Sequence, residues 1–296
     1  MDYKTFITLT VAGLADGAAF AAFALALVLI WRATRVVNFA QGVMAVASAY
    51  ISITVQQHTG SFWLGFAAAL ISGALLGAAV ESGVMRFASH SRPLNAVILA
   101  LGTTFALQAV LGMIYTTDLR DTGNPYPPTN YHFVSGIGLP SNYNLFQYIG
   151  VAVLVGGLIL LFSRTKLGLR LRASAFAPEV SRLLGINVAW MRTVGWMLAS
   201  VAGALAAQVS LPSASLGVTP TAMDGIFIIG FTAAVLGGLD SPIGAVVGGL
   251  AVGLLFQYTT GYWDPQAPAI AVAILLFLVL LVRPNGIFSG AKARQV

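Results

Sequence analysis

The sequence has no cysteine and very little charge. None of its 296 residues is Cys, and only 8% are charged. The lack of Cys excludes disulfides, thiolate chemistry and Cys-ligated metals. A soluble domain carries about a quarter charged residues, so this chain has too few to cover a surface in water. With 58% hydrophobic residues and a mean hydropathy of +0.87, the composition predicts a polytopic membrane protein.

The motifs of several enzyme classes are also missing. No GxxxxGK phosphate loop followed by Ser or Thr occurs, so ATP hydrolysis of the usual kind by this chain is excluded. The HExxH motif and the GxSxG nucleophile elbow are absent as well. The histidines His58, His90 and His132 are scattered near segment ends or in loops. We therefore predict a chain with no catalytic residues, no cofactor and no metal site of its own.

Apolar segments recur along the whole chain. A helix needs about 20 apolar residues to cross the hydrocarbon core. We predict an all-α, polytopic transmembrane helix bundle of about eight or nine membrane segments, with residues 1–296 forming a single transmembrane domain. The candidate segments are 7–31, 36–56, 62–80, 94–115, 145–162, 193–211, 226–239, 242–258 and 268–282.

The positions of the basic residues indicate the orientation of the chain. If the N-terminus is outside and all nine segments cross, 13 of the 15 basic residues lie inside, and only Lys4 and Arg120 lie outside. The positive-inside rule favours this orientation. The net charge of +6 then reflects membrane orientation, and we expect no nucleic-acid partner. The longest inside loop spans about 163–192. The longest outside loop spans about 116–143, and it either contacts a partner or only connects two segments.

One apolar run is interrupted by polar residues. Asp240 and Pro242 lie within GGLDSPIGAVVGG, residues 237–249. A single long helix there would place the basic C-terminal tail outside. The charges therefore favour a turn between two helices over a kink in one.

The inside loop contains a short helix signal in the stretch RASAFAPEVSRLLGIN. Pro178 suits the first helical position, where its missing N–H costs nothing. Glu179 follows in the first turn, where a carboxylate complements the helix dipole. Gly185 is placed to end the helix as a left-handed cap. We predict a two-turn helix over 178–184.

This predicted helix is amphipathic. Val180, Leu183 and Leu184 share one face, with Ser181 and Arg182 elsewhere on the surface. Because so short a helix is unstable alone in water, its apolar face must dock against the chain's own helix ends or another protein. The alternative is a basic loop that lies on anionic lipid headgroups.

The same loop resembles the cytoplasmic loop by which ABC-importer permeases engage their ATPase subunits. EVSRLLG has the spacing Glu–small–small–x–x–x–Gly at Glu179, Ser181 and Gly185, with Val180 replacing the usual Ala. Almost the whole chain resembles the LivH-type permeases of branched-chain amino-acid ABC importers. The further matching stretches, in the expected order, are GLADGAAFAAFALALVLIW, VVNFAQGVMAVASAY, RPLNAVILALGTTFALQ, LLGINV, AAVLGGLDSPIGAVVGGLAVGL and RPNGIF.

The chain departs from the family pattern at three positions. Gln41 stands where His is common, and Val43 stands where Glu is frequent. Ala177 replaces the Asp or Asn that often caps the coupling helix, a loss that costs about 1 kcal/mol of local helix stability. The changes at 41 and 43 lie in a segment expected to line the translocation pathway, so the identity of the substrate stays open.

The resemblance implies the permease subunit of an ATP-binding-cassette importer for branched-chain or other hydrophobic amino acids, in the bacterial inner membrane. ATP and Mg²⁺ would bind to two cytoplasmic ATPase subunits, which grip the coupling helix. The substrate would arrive on a periplasmic binding protein, and a second related permease would complete the pore, as a heterodimer by family habit or as a homodimer. Urea, short amides and other amino acids are alternative substrates. An ion-coupled secondary transporter is the alternative mechanism, with Asp16 and Asp240 as ion sites.

Polar residues within the apolar segments are candidates for the translocation pathway. Asn38 and Gln41 are one helical turn apart in the second segment, with Gly42 beside them. They line a pathway, or they form hydrogen bonds that hold the bundle together. Asp16 takes part in substrate passage, or it forms a structural pair near the outer interface.

Three glycine pairs have the GxxxG spacing that allows close helix contact. We interpret them as packing sites within the bundle, to which the partner permease can contribute. The pairs are Gly73 with Gly77, Gly244 with Gly248, and Gly249 with Gly253.

Overall fold

The computed structural model describes residues 3–87, 93–121, 123, 125–126, 140–212 and 217–288. Within these ranges the secondary structure consists of α-helices, a 3-10 turn at Met85–Phe87 and one isolated β-bridge between Arg120 and Val218. The helices are α1 (Tyr3–Thr34), α2 (Gln41–Thr59), α3 (Phe62–Gly83), α4 (Pro93–Tyr115), α5 (Asn142–Arg164), α6 (Lys166–Phe176), α7 (Pro178–Leu183), α8 (Val188–Ser210), α9 (Asp224–Gly237), α10 (Pro242–Tyr262) and α11 (Ala267–Val282).

The predicted all-α membrane bundle is confirmed, because each of the nine predicted segments corresponds to a helix. Helices α1, α3, α4, α5, α8 and α10 are long and apolar enough to cross a membrane. Helices α9 and α11 are shorter apolar helices, and α2 is a 19-residue helix with several polar side chains. Helix α9 ends at Gly237 and α10 begins at Pro242, so the predicted turn between them is present.

Helix α1 forms the centre of the bundle. It packs against α5, α8, α9 and α10, and every residue from 17 to 30 is buried. This stretch is apolar on all sides, which is typical of a helix surrounded by other helices. Helices α4, α5 and α11 expose many of their large apolar side chains, as expected for surfaces that face lipid or a partner subunit.

The contact between α1 and α10 depends on glycines of both helices. A Cβ added at Gly17 would lie 2.8 Å from the Leu250 Cα, and one added at Gly249 would lie 2.5 Å from the Ala21 Cα. Gly253 lies directly against Gly17. The two backbones therefore approach each other too closely for any larger residue. In lipid, such close packing replaces the hydrophobic effect as the source of helix association.

The other two glycine pairs also contact helices of this chain. A Cβ added at Gly77 would lie 2.6 Å from the Trp196 carbonyl oxygen of α8, and one added at Gly73 would lie 3.1 Å from the Ser200 carbonyl oxygen. Gly244 and Gly248 face α9 at Gly237 and Ala233.

Gly249→Ala tests the contact between α1 and α10. The added methyl group must push the two backbones apart, so we expect a loss of about 1–3 kcal/mol in the free energy of unfolding. Thermal unfolding of the detergent-purified chain, followed by Trp fluorescence, measures this loss. Gly157→Ala in α5 is the matched control, since nothing lies within 4 Å of its added Cβ. Equal melting temperatures of the two variants would contradict the packing argument.

Candidate functional site

Arginines from separate parts of the chain gather at one end of the bundle. Arg32 and Arg35 lie at the end of α1, Arg86 follows α3, Arg172 lies on α6 and Arg192 begins α8. We call this region the basic end. Arg86 and Arg192 pair with one carboxylate, and the other three arginines line one cavity.

Most of the predicted loop at 163–192 is helical, which corrects the sequence-based boundaries. It holds α6 and α7, and α8 already begins at Val188. The Thr165 hydroxyl caps α6 by accepting a hydrogen bond from the Gly168 amide at 3.0 Å. Gly168, Leu171 and Ser174 are buried at a spacing of three residues, so one face of α6 packs against the bundle. This spacing is the signal in the sequence that could have indicated α6, which our sequence analysis did not predict.

Helix α7 has the predicted proline at its start and the predicted glycine cap after its end. Pro178 occupies its first turn, and Ala177 at the N-cap makes no side-chain hydrogen bond. At the C-terminus Gly185 has a φ of +78°, its amide donates to the Arg182 carbonyl at 3.0 Å, and the Ile186 amide donates to the Ser181 carbonyl at 2.9 Å. This pattern is a Schellman cap, which favours glycine at the left-handed position. The helix itself ends at Leu183, one residue before the predicted boundary.

The apolar side chains of α7 point away from the bundle. Leu183 is 88% exposed, Leu184 75% and Val180 55%, and the neighbouring Phe176 at the end of α6 is 93% exposed. Ser181 faces inward and is buried. The chain's own helix ends therefore leave this apolar face open. We call Phe176, Val180, Leu183 and Leu184 the α7 face.

A small hydrophobic cluster connects α7 to the bundle. Leu171 of α6 and Met191 and Val194 of α8 form its buried centre, and Ile186 packs against them directly after α7. The Asn187 carboxamide then caps α8 by accepting from the Trp190 amide at 3.0 Å. Ile186 and Asn187 therefore join α7 directly to the start of α8.

A buried carboxylate that the sequence did not point out fixes the same end of α8. Glu81, in the last turn of α3, is only 1% exposed. It accepts hydrogen bonds from Arg192 Nε at 3.0 Å, from the Thr193 hydroxyl at 2.5 Å and from Arg86 Nη2 at 3.4 Å. Glu81 is an acid near the end of a predicted span on the arginine-rich side. In the sequence, only this position could have suggested that it fixes the start of α8.

The remaining candidate carboxylates also have partners. Asp240 lies in the turn between α9 and α10 and forms a salt bridge with Arg35, the residue directly after α1. Asp16 of α1 accepts a hydrogen bond from Gln257 of α10 at 2.6 Å. Each carboxylate therefore links two elements of the bundle.

Asn38 is not part of a helix, contrary to the predicted start of the second segment at residue 36. Its carboxamide oxygen accepts from the Ala40 amide at 3.0 Å, a local turn that competes with helix formation. The turn still brings the two predicted amides together, because Asn38 Nδ2 donates to Gln41 Oε1 at 3.1 Å. Gly42 follows at the start of α2 and packs near the Met223 backbone of the segment before α9.

These polar side chains close the contact between α2 and α8. Gln41 Nε2 donates to the Ala199 carbonyl at 3.1 Å, and the Ser52 hydroxyl donates to Gln208 Oε1 at 3.2 Å. Asn38, Gln41, Ser52 and Gln208 are all buried, and we call them the α2–α8 seam. The structure shows these interhelical hydrogen bonds, and a role of Asn38 and Gln41 in the translocation pathway stays a prediction.

Part of the sequence-based site lies outside the described residues. The outside loop at about 116–143 is described only up to residue 121, at 123 and 125–126, and from 140 onward. His90 and His132 are also outside. Within the described residues, no group of three or more His, Asp or Glu side chains is arranged to hold a metal ion.

Comparison with known proteins identifies the family. Residues 9–283 match the family model described as the permease component of the branched-chain amino acid transport system. The chain belongs to this family. It is therefore a multi-pass membrane permease, and the family is one of transport subunits that work with ATPase and substrate-binding partners.

Individual relatives agree with this assignment. The permease BraD of Pseudomonas aeruginosa and the permease LivH of Escherichia coli, both named as high-affinity branched-chain amino acid transport proteins, are each 28% identical to this chain and cover 96% of it and 96% of their own lengths. The guanosine ABC transporter permease NupQ of Bacillus subtilis is 28% identical over 64% of this chain and 61% of its own. The solved structure of PsaBC from Streptococcus pneumoniae in complex with Fab covers 95% of this chain and 91% of its own at 14% identity, but its TM-score of 0.45 is too low to support an argument.

Glu81→Gln tests the anchoring of α8. The substitution leaves Arg192 and Arg86 without their carboxylate, and we expect a loss of about 2 kcal/mol in the free energy of unfolding. Thermal unfolding of the purified chain measures it. Glu179→Gln is the control, because this exposed acid on α7 forms no salt bridge with the described residues. An unchanged melting temperature of Glu81→Gln would rule out a stabilising role.

Proposed function

We propose that this chain is the pore-forming subunit of an ATP-driven importer of branched-chain amino acids, and that its ATPase binds the α7 face. One observation supports the docking site above all: four large apolar side chains are exposed on and next to a helix too short to be stable alone. An exposed apolar patch beside charged residues is typical of a protein interaction site.

The contacts around α7 suggest how ATP binding in the partner moves the permease. Ile186 and the Leu171–Met191–Val194 cluster connect α7 to the start of α8. Helix α8 in turn packs against α1, α2 and α3. A shift of α8 changes the hydrogen bonds of Gln41 and Ser52 across the α2–α8 seam. ATP-driven closure of the ATPase would therefore act on the seam through one helix.

The proposal also covers the rest of the assembly. ATP and Mg²⁺ bind to two cytoplasmic ATPase subunits, since this chain has no phosphate loop. The basic end faces the cytoplasm of a bacterial inner membrane, as the positive-inside rule requires. A periplasmic binding protein delivers the substrate, and a second permease, a related chain rather than a copy, completes the pore.

The ion-coupled alternative has less support from the site. An ion site needs several oxygen ligands around one position. Asp240 instead pairs with Arg35, and Asp16 accepts from the amide of Gln257. Both carboxylates therefore act as links between helices among the described residues.

The substrate assignment rests on the names of the relatives. BraD and LivH match almost the full length of this chain, whereas the guanosine permease NupQ matches less of it. We therefore choose leucine, isoleucine and valine as the first candidate substrates. Uptake assays on the reconstituted complex, with the binding protein and labelled leucine, test this choice. Guanosine, urea and a short amide serve as competitors, and uptake of one of these without uptake of leucine would refute it.

Leu183→Asp tests ATPase docking on the α7 face. Burial of a leucine contributes about 1.5–3 kcal/mol, so we expect the affinity for the ATPase subunits to fall about ten- to a hundredfold. Co-purification and ATP-driven uptake in proteoliposomes should fall together, whereas the amount of inserted permease should stay the same.

The matched control is Ile287→Asp, which places the same charge at another exposed apolar residue. Ile287 lies after α11, and its amide donates to the Leu236 carbonyl of α9, so it is not part of the α7 face. This variant should retain ATPase binding and uptake. Normal binding and uptake by Leu183→Asp would refute the docking site.

A further inference from the structure

Two openings lie side by side between α1, α5 and α6 at the basic end. The first is a cavity of about 360 Å³, bordered by α1, α5, α6 and α8. The second is a crevice of about 280 Å³ between α1, α5 and the start of α10. Both are lined by Leu29, Arg32, Phe162 and Arg172, so these four side chains form the boundary between them.

The crevice is apolar below its arginines. Leu25 and Leu29 of α1 face Val155 and Ile159 of α5. Seven residues separate Leu25 from Arg32 along α1, so the apolar wall extends about 10 Å from the guanidinium-bearing end. Ile159 is exposed at the rim, as is Ile243 of α10, and both are membrane-segment residues. The crevice therefore opens sideways, toward lipid.

The charge beside the crevice is positive and incompletely balanced. Asp240 forms a salt bridge with Arg35 and also attracts Arg32, so one carboxylate faces three guanidinium groups. Arg32 and Arg172 form no salt bridge with any described residue, and their like charges repel each other. The guanidinium of Arg32 lies over the Phe162 ring, 5.9 Å from its centroid, which holds it at the boundary of the two openings. An anion between Arg32 and Arg172 would relieve this repulsion.

We propose that this place is a binding site for an anionic glycerophospholipid. The headgroup phosphate binds between Arg32 and Arg172, and one acyl chain occupies the crevice along Leu25, Leu29 and Val155. Guanidinium groups bind phosphate oxygens through paired hydrogen bonds. Basic pockets between membrane helices bind anionic headgroups in this manner. The proposal requires both the charge and the lateral opening, and it does not depend on the transported substrate.

The test uses the full chain alone, in nanodiscs of phosphatidylcholine and in nanodiscs of equimolar phosphatidylcholine and phosphatidylglycerol. A lipid that binds the folded state raises its melting temperature. We expect a higher melting temperature in the phosphatidylglycerol discs, and phosphatidylglycerol should also be retained on the chain in native mass spectrometry. Equal melting temperatures in the two lipids would overturn the proposal.

Two variants locate the site. The double variant Arg32→Gln with Arg172→Gln should lose at least half of the phosphatidylglycerol-dependent rise. Its control, Arg164→Gln with Arg170→Gln, removes two exposed charges from the same end and should keep the rise. If the first variant does not fold, Val155→Phe tests the lipid site instead, because it fills the crevice and leaves both arginines in place. A full rise in Val155→Phe would overturn the acyl-chain assignment.

Two further experiments identify the molecule that binds in the crevice. Inorganic phosphate added to the phosphatidylcholine discs supplies the anion without the acyl chain, and we expect no comparable rise. A full rise with phosphate would show a simple anion site and overturn the lipid assignment. Mass measurement of the discs reports the number of chains. If the rise accompanies pairing of two chains and Arg32→Gln with Arg172→Gln abolishes that pairing, the crevice binds a second copy instead.

Discussion

The close approach of α1 and α10 determines how the rest of the bundle is arranged. Lipid tails are as apolar as leucine, so helices in a membrane associate through backbone proximity and polar contacts. Gly17 and Gly249 allow that proximity, and Asp16 with Gln257 adds a hydrogen bond between the same two helices. Because α1 also contacts α5, α8 and α9, its position decides where those helices lie.

The basic end combines a fixed anchor with the exposed α7 face. Glu81 holds the start of α8 to the end of α3 through Arg192 and Thr193. On the other side of the same helix start, Ile186 leads to the exposed residues of α7. Breaking a buried ion pair is costly, so α8 is expected to pivot about this anchor when α7 moves. Under the proposed coupling, a small displacement of α7 is enough to act on the bundle.

Local rules predicted some features of this site and long-range contacts decided the others. The ends of α7 followed from Pro178 and Gly185, because a proline at the first turn and a left-handed glycine act within a few residues. The nine predicted membrane segments followed from apolar length and, for the turn between α9 and α10, from the positions of the basic residues. Glu81 was missed because Arg192 lies 111 residues away in the sequence. Helix α6 was missed because its buried residues Gly168, Leu171 and Ser174 lie among charged residues.

The α2–α8 seam has a consequence for the membrane as a whole. Its amides and hydroxyls bond to one another and to the backbone between two tightly packed helices. Water or a proton that enters this region must first break those bonds, and unpaired polar groups in hydrocarbon are unfavourable. A seam closed in this way would resist the passage of water and protons between α2 and α8.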